Sequence, residues 1–321
     1  MLVKARTIPL KISMLEALKR NLPEHHMKHS VIEDELARSR AGYRGEQSID
    51  YHLSFLPDDY LILHNMRLSS GDYFFQIDTL IICPNVIVIL EVKNIAGKLF
   101  FDETFHQLIR TTEEKEEAFA DPILQVRRQQ RQLESWLASH KIPAMPIVPF
   151  VVISNPTTMI KNNHTHKTVL QIVTHASAIP FKFDHLHKSY PNERLTRSEM
   201  SKLSQLLLKH DQPYRPDVLS QLQISEDELL TGAKCEKCHH QPMKRAVGTW
   251  RCQRCHHQSV DAHISALADY ALLHSPAITN KQFRHYFHLQ SNNVAKQLLG
   301  AMNLTQSGNR RSRRYYLPLP K

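Results

Sequence analysis

Two groups of residues have the types and spacing to do chemistry. The first is Asp78, Glu91 and Lys93, three ionisable side chains inside the apolar run QIDTLIICPNVIVILEVKN. Burying an ion costs several kcal/mol unless something compensates it, so charges here need a reason. The second group is Cys235, Cys238, Cys252 and Cys255, two C-x-x-C pairs with thirteen residues between them. Each pair lets two thiolates meet one metal at a tight turn, and two pairs complete a tetrahedron. This is the pattern of a zinc ribbon. Met243, Val247 and Trp250 between the pairs suit a small hairpin. A redox disulfide leaves two matched pairs unexplained. Four thiolates fill the Zn²⁺ shell, so His239, His240, His256 and His257 are bystanders and the zinc is structural. Lys234, Lys237, Arg251 and Arg254 offset the charge of the thiolates.

The elements that must position the first group follow from the hydrophobic pattern. Segments 73–83 and 86–94 read as strands rich in Ile, Val and Phe. Residues two apart on a strand share a face, so Glu91 and Lys93 point the same way. A tight turn on Pro84 and Asn85 pairs residues whose numbers sum to 169, which sets Asp78 opposite Glu91. Opposed carboxylates repel, and they invite a hard divalent cation, Mg²⁺ or Mn²⁺. Pro84 cannot take the positive φ of a type I′ turn, so a longer loop is the alternative. A Lys93–Glu91 salt bridge at a sheet edge explains the same spacing without a metal.

Around these strands, residues 11–20 and 31–38 read as helices, with the His-rich patch EHHMKHS between them as a solvated loop. A short helix is expected before Pro57, then a strand at YLILHNM. Residues 122–140 form a helix opened by Asp121 as N-cap with Pro122 in its first turn. IVPFVVISN and TVLQIVT are buried strands. LTRSEMSKLSQLLLKHD is an amphipathic helix with Thr196 and Glu199 as a capping box. Strands, a helix and further strands describe an α/β sandwich over residues 38–210.

The stretches GYRGEQSIDYHL, FFQIDTLIICPNVIVILEVKN and DPILQVRRQQRQL, in that order, resemble the nuclease-related domain, NERD, of the PD-(D/E)xK restriction-endonuclease-like group. The likeness covers about residues 38–158. It implies a restriction-endonuclease-like mixed sheet flanked by helices. It also implies that Asp78 and Glu91 bind Mg²⁺ or Mn²⁺, that Lys93 is the catalytic lysine, that Glu46 adds a further acid, and that Gln125 lies near metal or phosphate. From the residues alone, Glu46 reads as a surface partner of Arg44, and Gln125 as part of a polar helix face.

Eight of the chain's net ten positive charges lie beyond Ala271, where Asp and Glu are absent. Such a concentration points to a polyanion, with a solvated basic tail as the plainer reading. SALADYALLH, TNKQFRHYFHL and SNNVAKQLLGAMNL read as helices, with Thr279–Gln282 a capping box and Ser291 a cap, and LTQSGNRRSRRYYL as two short strands. The order resembles a winged helix-turn-helix. In such modules Asn292, Asn293, Lys296 and Gln297 would face the major groove of DNA, and Arg310, Arg311, Arg313 and Arg314 its phosphates or minor groove. A protein-binding winged helix is the competing reading.

The expected plan is therefore an N-terminal helical arm (1–37), a nuclease-like domain (38–210), a connector, a zinc ribbon (231–258) and a winged-helix-like domain (259–321). No run approaches the roughly 20 apolar residues of a membrane span, and the N-terminus lacks a signal-type apolar stretch, so a cytoplasmic protein is expected. The function expected is a metal-dependent DNA endonuclease. The competitor is an inactive DNA-binding regulator, and RNA stays open as a substrate.

Overall fold

The computed structural model of the chain describes residues 1–161, 167–309 and 312–319. They divide into two compact units, Met1–Thr7 with Arg40–Tyr214, and Ile8–Ser39 with Arg215–Lys321. The stretch expected as one helical arm is therefore split. Its first residues form strand β1 (Leu2–Lys4), which pairs in parallel with β2 (Leu61–Ser70). Helix α1 (Leu10–Asn21) and the first part of α2 (His29–Ser48) go with the second unit.

In the first unit, α2 ends, α3 (Asp50–Leu53) follows, and β2, β3 (Tyr73–Ile82) and β4 (Ile87–Lys93) form an antiparallel meander. A second sheet then intervenes, β5 (Lys98–Asp102), β6 (Gln107–Thr111) and β7 (Glu116–Ala120), before α4 (Pro122–Ser139). Strand β8 (Ile147–Ile153) returns in parallel beside β4, and β9 (Met159–Lys161) joins the second sheet. Helix α5 (Lys167–Ile172), β10 (Val173–His175), α6 (Ile179–Ser189) and α7 (Arg197–His210) complete the unit. The main sheet is mixed, in the order β1-β2-β3-β4-β8-β10. The segment TVLQIVT, expected as a strand, is helical up to Ile172. Val169 and Ile172, three apart, bury together on one helix face.

Alternation along β4 sorts its residues between two cores. Ile87 and Ile89 join Val126 and Leu133 of α4 and Leu203 of α7 on one side. Val88, Leu90 and Val92 join Ile49, Leu53 and Phe183 on the other. Glu91 and Lys93 have the odd numbers, so they face α4. The β3–β4 register is the expected one, Thr79 with Leu90 and Ile82 with Ile87. The loop stays at two residues although neither Pro84 nor Asn85 takes a positive φ. Bonds from elsewhere hold it: the Pro84 carbonyl accepts from the Arg194 and Leu195 amides, and the Asn85 side chain donates to the Tyr190 carbonyl.

In the second unit, α8 (Val218–Leu222) leads to three short antiparallel strands, β11 (Lys244–Arg245), β12 (Trp250–Arg251) and β13 (Gln258–Ser259). Then come α9 (Ala262–Leu273), β14 (Ala277–Thr279), α10 (Asn280–Tyr286), α11 (Asn292–Ala301), β15 (Thr305–Ser307) and β16 (Arg314–Tyr316). The last sheet runs β14-β16-β15. Both expected caps form: Thr279 with Gln282 in a capping box, and Ser291 accepting from the Val294 amide. The ribbon and the tail are built on one core rather than two, because Met243 and Trp250 pack with Leu267, Phe283, Leu299 and Tyr315.

Candidate active site and metal centre

Glu91 is 3% exposed at the centre of a hydrogen-bonded cage. Its Oε1 accepts from Lys93 Nζ and from Gln125 Nε2, each at 2.7 Å, and its Oε2 accepts from Gln129 Nε2 at 2.7 Å. Lys93 Nζ donates also to Gln125 Oε1 at 3.0 Å, so the ammonium bridges the acid and the amide. Both glutamines come from α4, whose first turn is fixed by Asp121 accepting from the Ile123 amide at 2.7 Å. They sit four residues apart and so share a helix face. Gln129 was absent from the sequence-based candidates. Its spacing from Gln125 is the signal that marks it.

Asp78 lies where the sheet alternation breaks. Leu61 and Leu63 of β2 share a core with Met66 and Leu68, a slip of one residue, and on β3 Phe75 and Ile77 slip likewise to Leu80 and Ile82. The slip falls between Asn65, whose φ is +50°, and Asp78. Asp78 Oδ2 accepts from the Val92 amide at 2.9 Å, replacing a ladder bond with a side-chain bond. Burial, then repulsion from Glu91 and from Glu46, pushes the Asp78 carboxyl well above the usual carboxylate range.

Glu46 reaches this neighbourhood because α2 packs closely on the ends of β4 and β8. A Cβ at Gly45 would lie 2.3 Å from Asn94 Cβ and 2.9 Å from Ser154 Oγ, so only glycine permits the approach. Asn94 Nδ2 also donates to the Ala41 carbonyl at 2.7 Å. The partner of Glu46 is Arg6, at 2.7 Å, and not its neighbour in sequence, Arg44. Burial raises the Glu46 pKa, with Glu91 adding to the rise, and hydrogen bonds from Arg6 and Asn65 oppose it.

The donor chemistry suits a hard divalent cation: the donors are carboxylate oxygens, the acids repel one another, and among the described residues the buried Gln129 Oε1 is an acceptor with no partner. The three acids are not gathered as tightly as the cysteines. Among the described residues, the four thiols are the one group of three or more ligands lying within 4.8 Å of one another.

In that group, Cys235 Sγ stands 3.6 Å from Cys255 Sγ, and Cys238 Sγ 3.5 Å from Cys252 Sγ. A tetrahedron with Zn–S bonds of about 2.3 Å has sulfur–sulfur edges of about 3.8 Å, so the cluster fits such an ion. The two knuckles match. The Cys235 amide donates to the His240 carbonyl and the His239 amide to the Cys235 carbonyl, as Cys252 does with His257 and His256. Both His239 and His256 take positive φ, 60° and 58°. Desolvation works against ionising Cys252. Bonds from the Cys255 and Arg254 amides and from neighbouring thiols overcome it and draw the thiol down to about 6.

On the tail, Asn292, Asn293, Lys296, Gln297 and Arg314 are exposed and Arg313 is half-buried. Asn292, Lys296 and Arg313 line one concavity of 660 Å³ together with Lys281 and Arg284 of α10. Arg310 and Arg311 lie outside the described residues.

Residues 41–154 match the family model of the nuclease-related domain. The chain carries a NERD segment. The match spans from the helix bearing Glu46 to the end of β8, and so includes Asp78, Glu91, Lys93, Gln125 and Gln129. No curated protein and no solved structure is matched by the chain. Among the described residues, no helix is long and apolar enough to cross a membrane.

Proposed function

We propose that the chain is a metal-dependent DNA endonuclease whose NERD segment hydrolyses phosphodiester bonds and whose basic tail brings DNA to it. The observation that carries this reading is the sharing of Lys93 Nζ between Glu91 and Gln125, with Asp78 on the neighbouring strand one position beyond the Thr79–Leu90 pair and bonded to the Val92 amide. Asp78 and Glu91, with Glu46 beside them, would hold Mg²⁺ or Mn²⁺. A divalent ion bound there supplies an acidified water and neutralises phosphate charge. Lys93 would place a fixed positive charge where the phosphate oxygens become more negative, and Gln125 Oε1 holds that ammonium by accepting a hydrogen bond from it. Gln129 keeps the Glu91 carboxylate oriented through Oε2.

The four cysteines would hold a structural Zn²⁺. A tail ordered helix, strand, helix, helix, hairpin supports the winged helix-turn-helix reading, with α11 as the helix entering the major groove. Asn292, Asn293, Lys296 and Gln297 would then read bases, and Arg310, Arg311, Arg313 and Arg314 would meet phosphates. Lys281 and Arg284, on the same concavity, join them. A second reading has its own support. Glu91 is already satisfied by Lys93, Gln125 and Gln129, as a structural ion pair in a DNA-binding regulator would be. Lys93→Ala distinguishes the two. It abolishes metal-dependent cleavage and leaves DNA affinity intact if the chain is a nuclease, and retained cleavage removes Lys93 from the reaction.

A further inference from the structure

The NERD match begins at residue 41, yet a side chain far upstream enters the acidic centre. Arg6 follows β1, the strand that pairs with β2 at the sheet edge. Its side chain is 3% exposed. Nη1 donates to Glu46 Oε2 at 2.7 Å. Nη2 is anchored separately, at 3.2 Å from Asp50 Oδ1, 3.0 Å from His64 Nδ1 and 3.3 Å from Thr79 Oγ1. His64 accepts this bond as a neutral imidazole, because burial first, then the charges of Arg6 and Lys4, pull its pKa down to about 3. One face of the guanidinium is thus locked to the sheet and α3, and the other is free to hold one acid.

The same segment also supports the slip that carries Asp78. Lys4 Nζ donates to the Asn65 carbonyl at 2.7 Å, and Asn65, whose φ of +50° marks the slip in β2, helps to hold the Glu46 pKa down. Lys4 is itself tied to Asp211 at 2.5 Å. A carboxylate has about four lone-pair sites, so Glu46 held by Arg6 through Oε2 keeps sites to offer elsewhere. A fork-shaped cation fixed by several partners restricts a carboxylate to one orientation, which a mobile ammonium does not do.

We propose that Arg6 is a positioning residue for the acidic centre. It presents Glu46 to the divalent ion held by Asp78 and Glu91, so the working centre needs a segment outside the matched domain. This rests on the metal-binding reading above. Outer partners that orient a metal ligand typically contribute about 10–100-fold to metal affinity.

The test measures Mn²⁺ binding to the full zinc-loaded chain by electron paramagnetic resonance of the free ion, with no nucleic acid present. Arg6→Lys keeps the charge and removes the fork. It is expected to weaken Mn²⁺ binding about tenfold, as Glu46→Gln does, and the double variant is expected to bind no more weakly than Glu46→Gln alone. Asp50→Asn, an exposed change beside the anchored nitrogen and His64 that leaves the Arg6–Glu46 pair in place, gives a smaller loss in the same direction and serves if Arg6→Lys fails to fold. Unchanged or tighter binding in Arg6→Lys, with Glu46→Gln weakened, overturns the proposal, as do losses that multiply in the double variant. Asp78→Asn separates the two levels: Mn²⁺ binding unaffected by that change overturns the metal reading itself.

Discussion

Replacing Asp78 by Asn should stabilise the metal-free protein while ending its activity. An Asn oxygen still accepts the Val92 amide bond that Asp78 makes at 2.9 Å, without the charge. Asp78 stands one position beyond the Thr79–Leu90 pair, opposite Glu91. Opposed residues have Cβ atoms about 5 Å apart, and two unit charges at that separation and an effective dielectric of about 20 repel by about 3 kcal/mol. Lys93 cancels part of this, and the Val92 bond weakens by about 1 kcal/mol when it loses its charge. The net gain is about 1–2 kcal/mol, or roughly 2–8 °C in the melting temperature of a unit of this size. The sign with pH follows from the raised carboxyl: below the unfolded value of 3.8 both states are protonated and the gain is absent. It appears as pH rises from 3.8 through the folded pKa. Scanning calorimetry in EDTA at pH 7.5 measures it. At ten times its dissociation constant, Mg²⁺ returns about 1.4 kcal/mol to the wild type and little to the variant, closing the gap. A variant less stable than wild type in EDTA would show that the Asp78 charge supports the fold, and the reasoning would fail.

Gly45→Ala places a Cβ 2.3 Å from Asn94 Cβ. It should cost about 1–3 kcal/mol in urea unfolding and remove cleavage by shifting Glu46, whereas Gly42→Ala, with open space around it, should do neither. His64 binds a proton far more weakly folded than unfolded, about 3 against 6.5. Stability is therefore full above pH 6.5 and falls below it, by about 2 kcal/mol at pH 5, and His64→Gln should flatten that slope in acid unfolding. His256→Gly relieves the positive φ of 58° and should raise stability by about 1 kcal/mol with zinc content unchanged, while Cys252→Ser should lose the zinc. Atomic absorption on the purified chain reads both.

Much of the candidate site was legible because hairpin arithmetic is rigid: strands joined through Pro84 and Asn85 have few registers, and one of them brings Asp78 to Glu91. The alternation slip at Asn65 and Asp78 is also written in the sequence, as Leu61 and Leu63 followed by Met66 and Leu68. It shows only when the two strands are read together. The sheet of β5, β6 and β7 escaped the pattern because its strands are short and charged; EEAFA has no apolar face to find. TVLQIVT misled because its β-branched residues favour a strand, whereas the burial of Val169 and Ile172 is helical. Arg6 was invisible for a different reason. Its role depends on a contact forty residues away in sequence, and nothing in MLVKARTIP announces it.

The most direct measurement incubates the full chain with supercoiled, linear, single-stranded and branched DNA in Mg²⁺, Mn²⁺ or EDTA, beside Asp78→Ala. Cutting is expected to need the divalent ion and to disappear in the variant, with DNA binding retained. Salt-sensitive binding with no cutting of any substrate, or equal cutting by Asp78→Ala, would contradict the endonuclease reading.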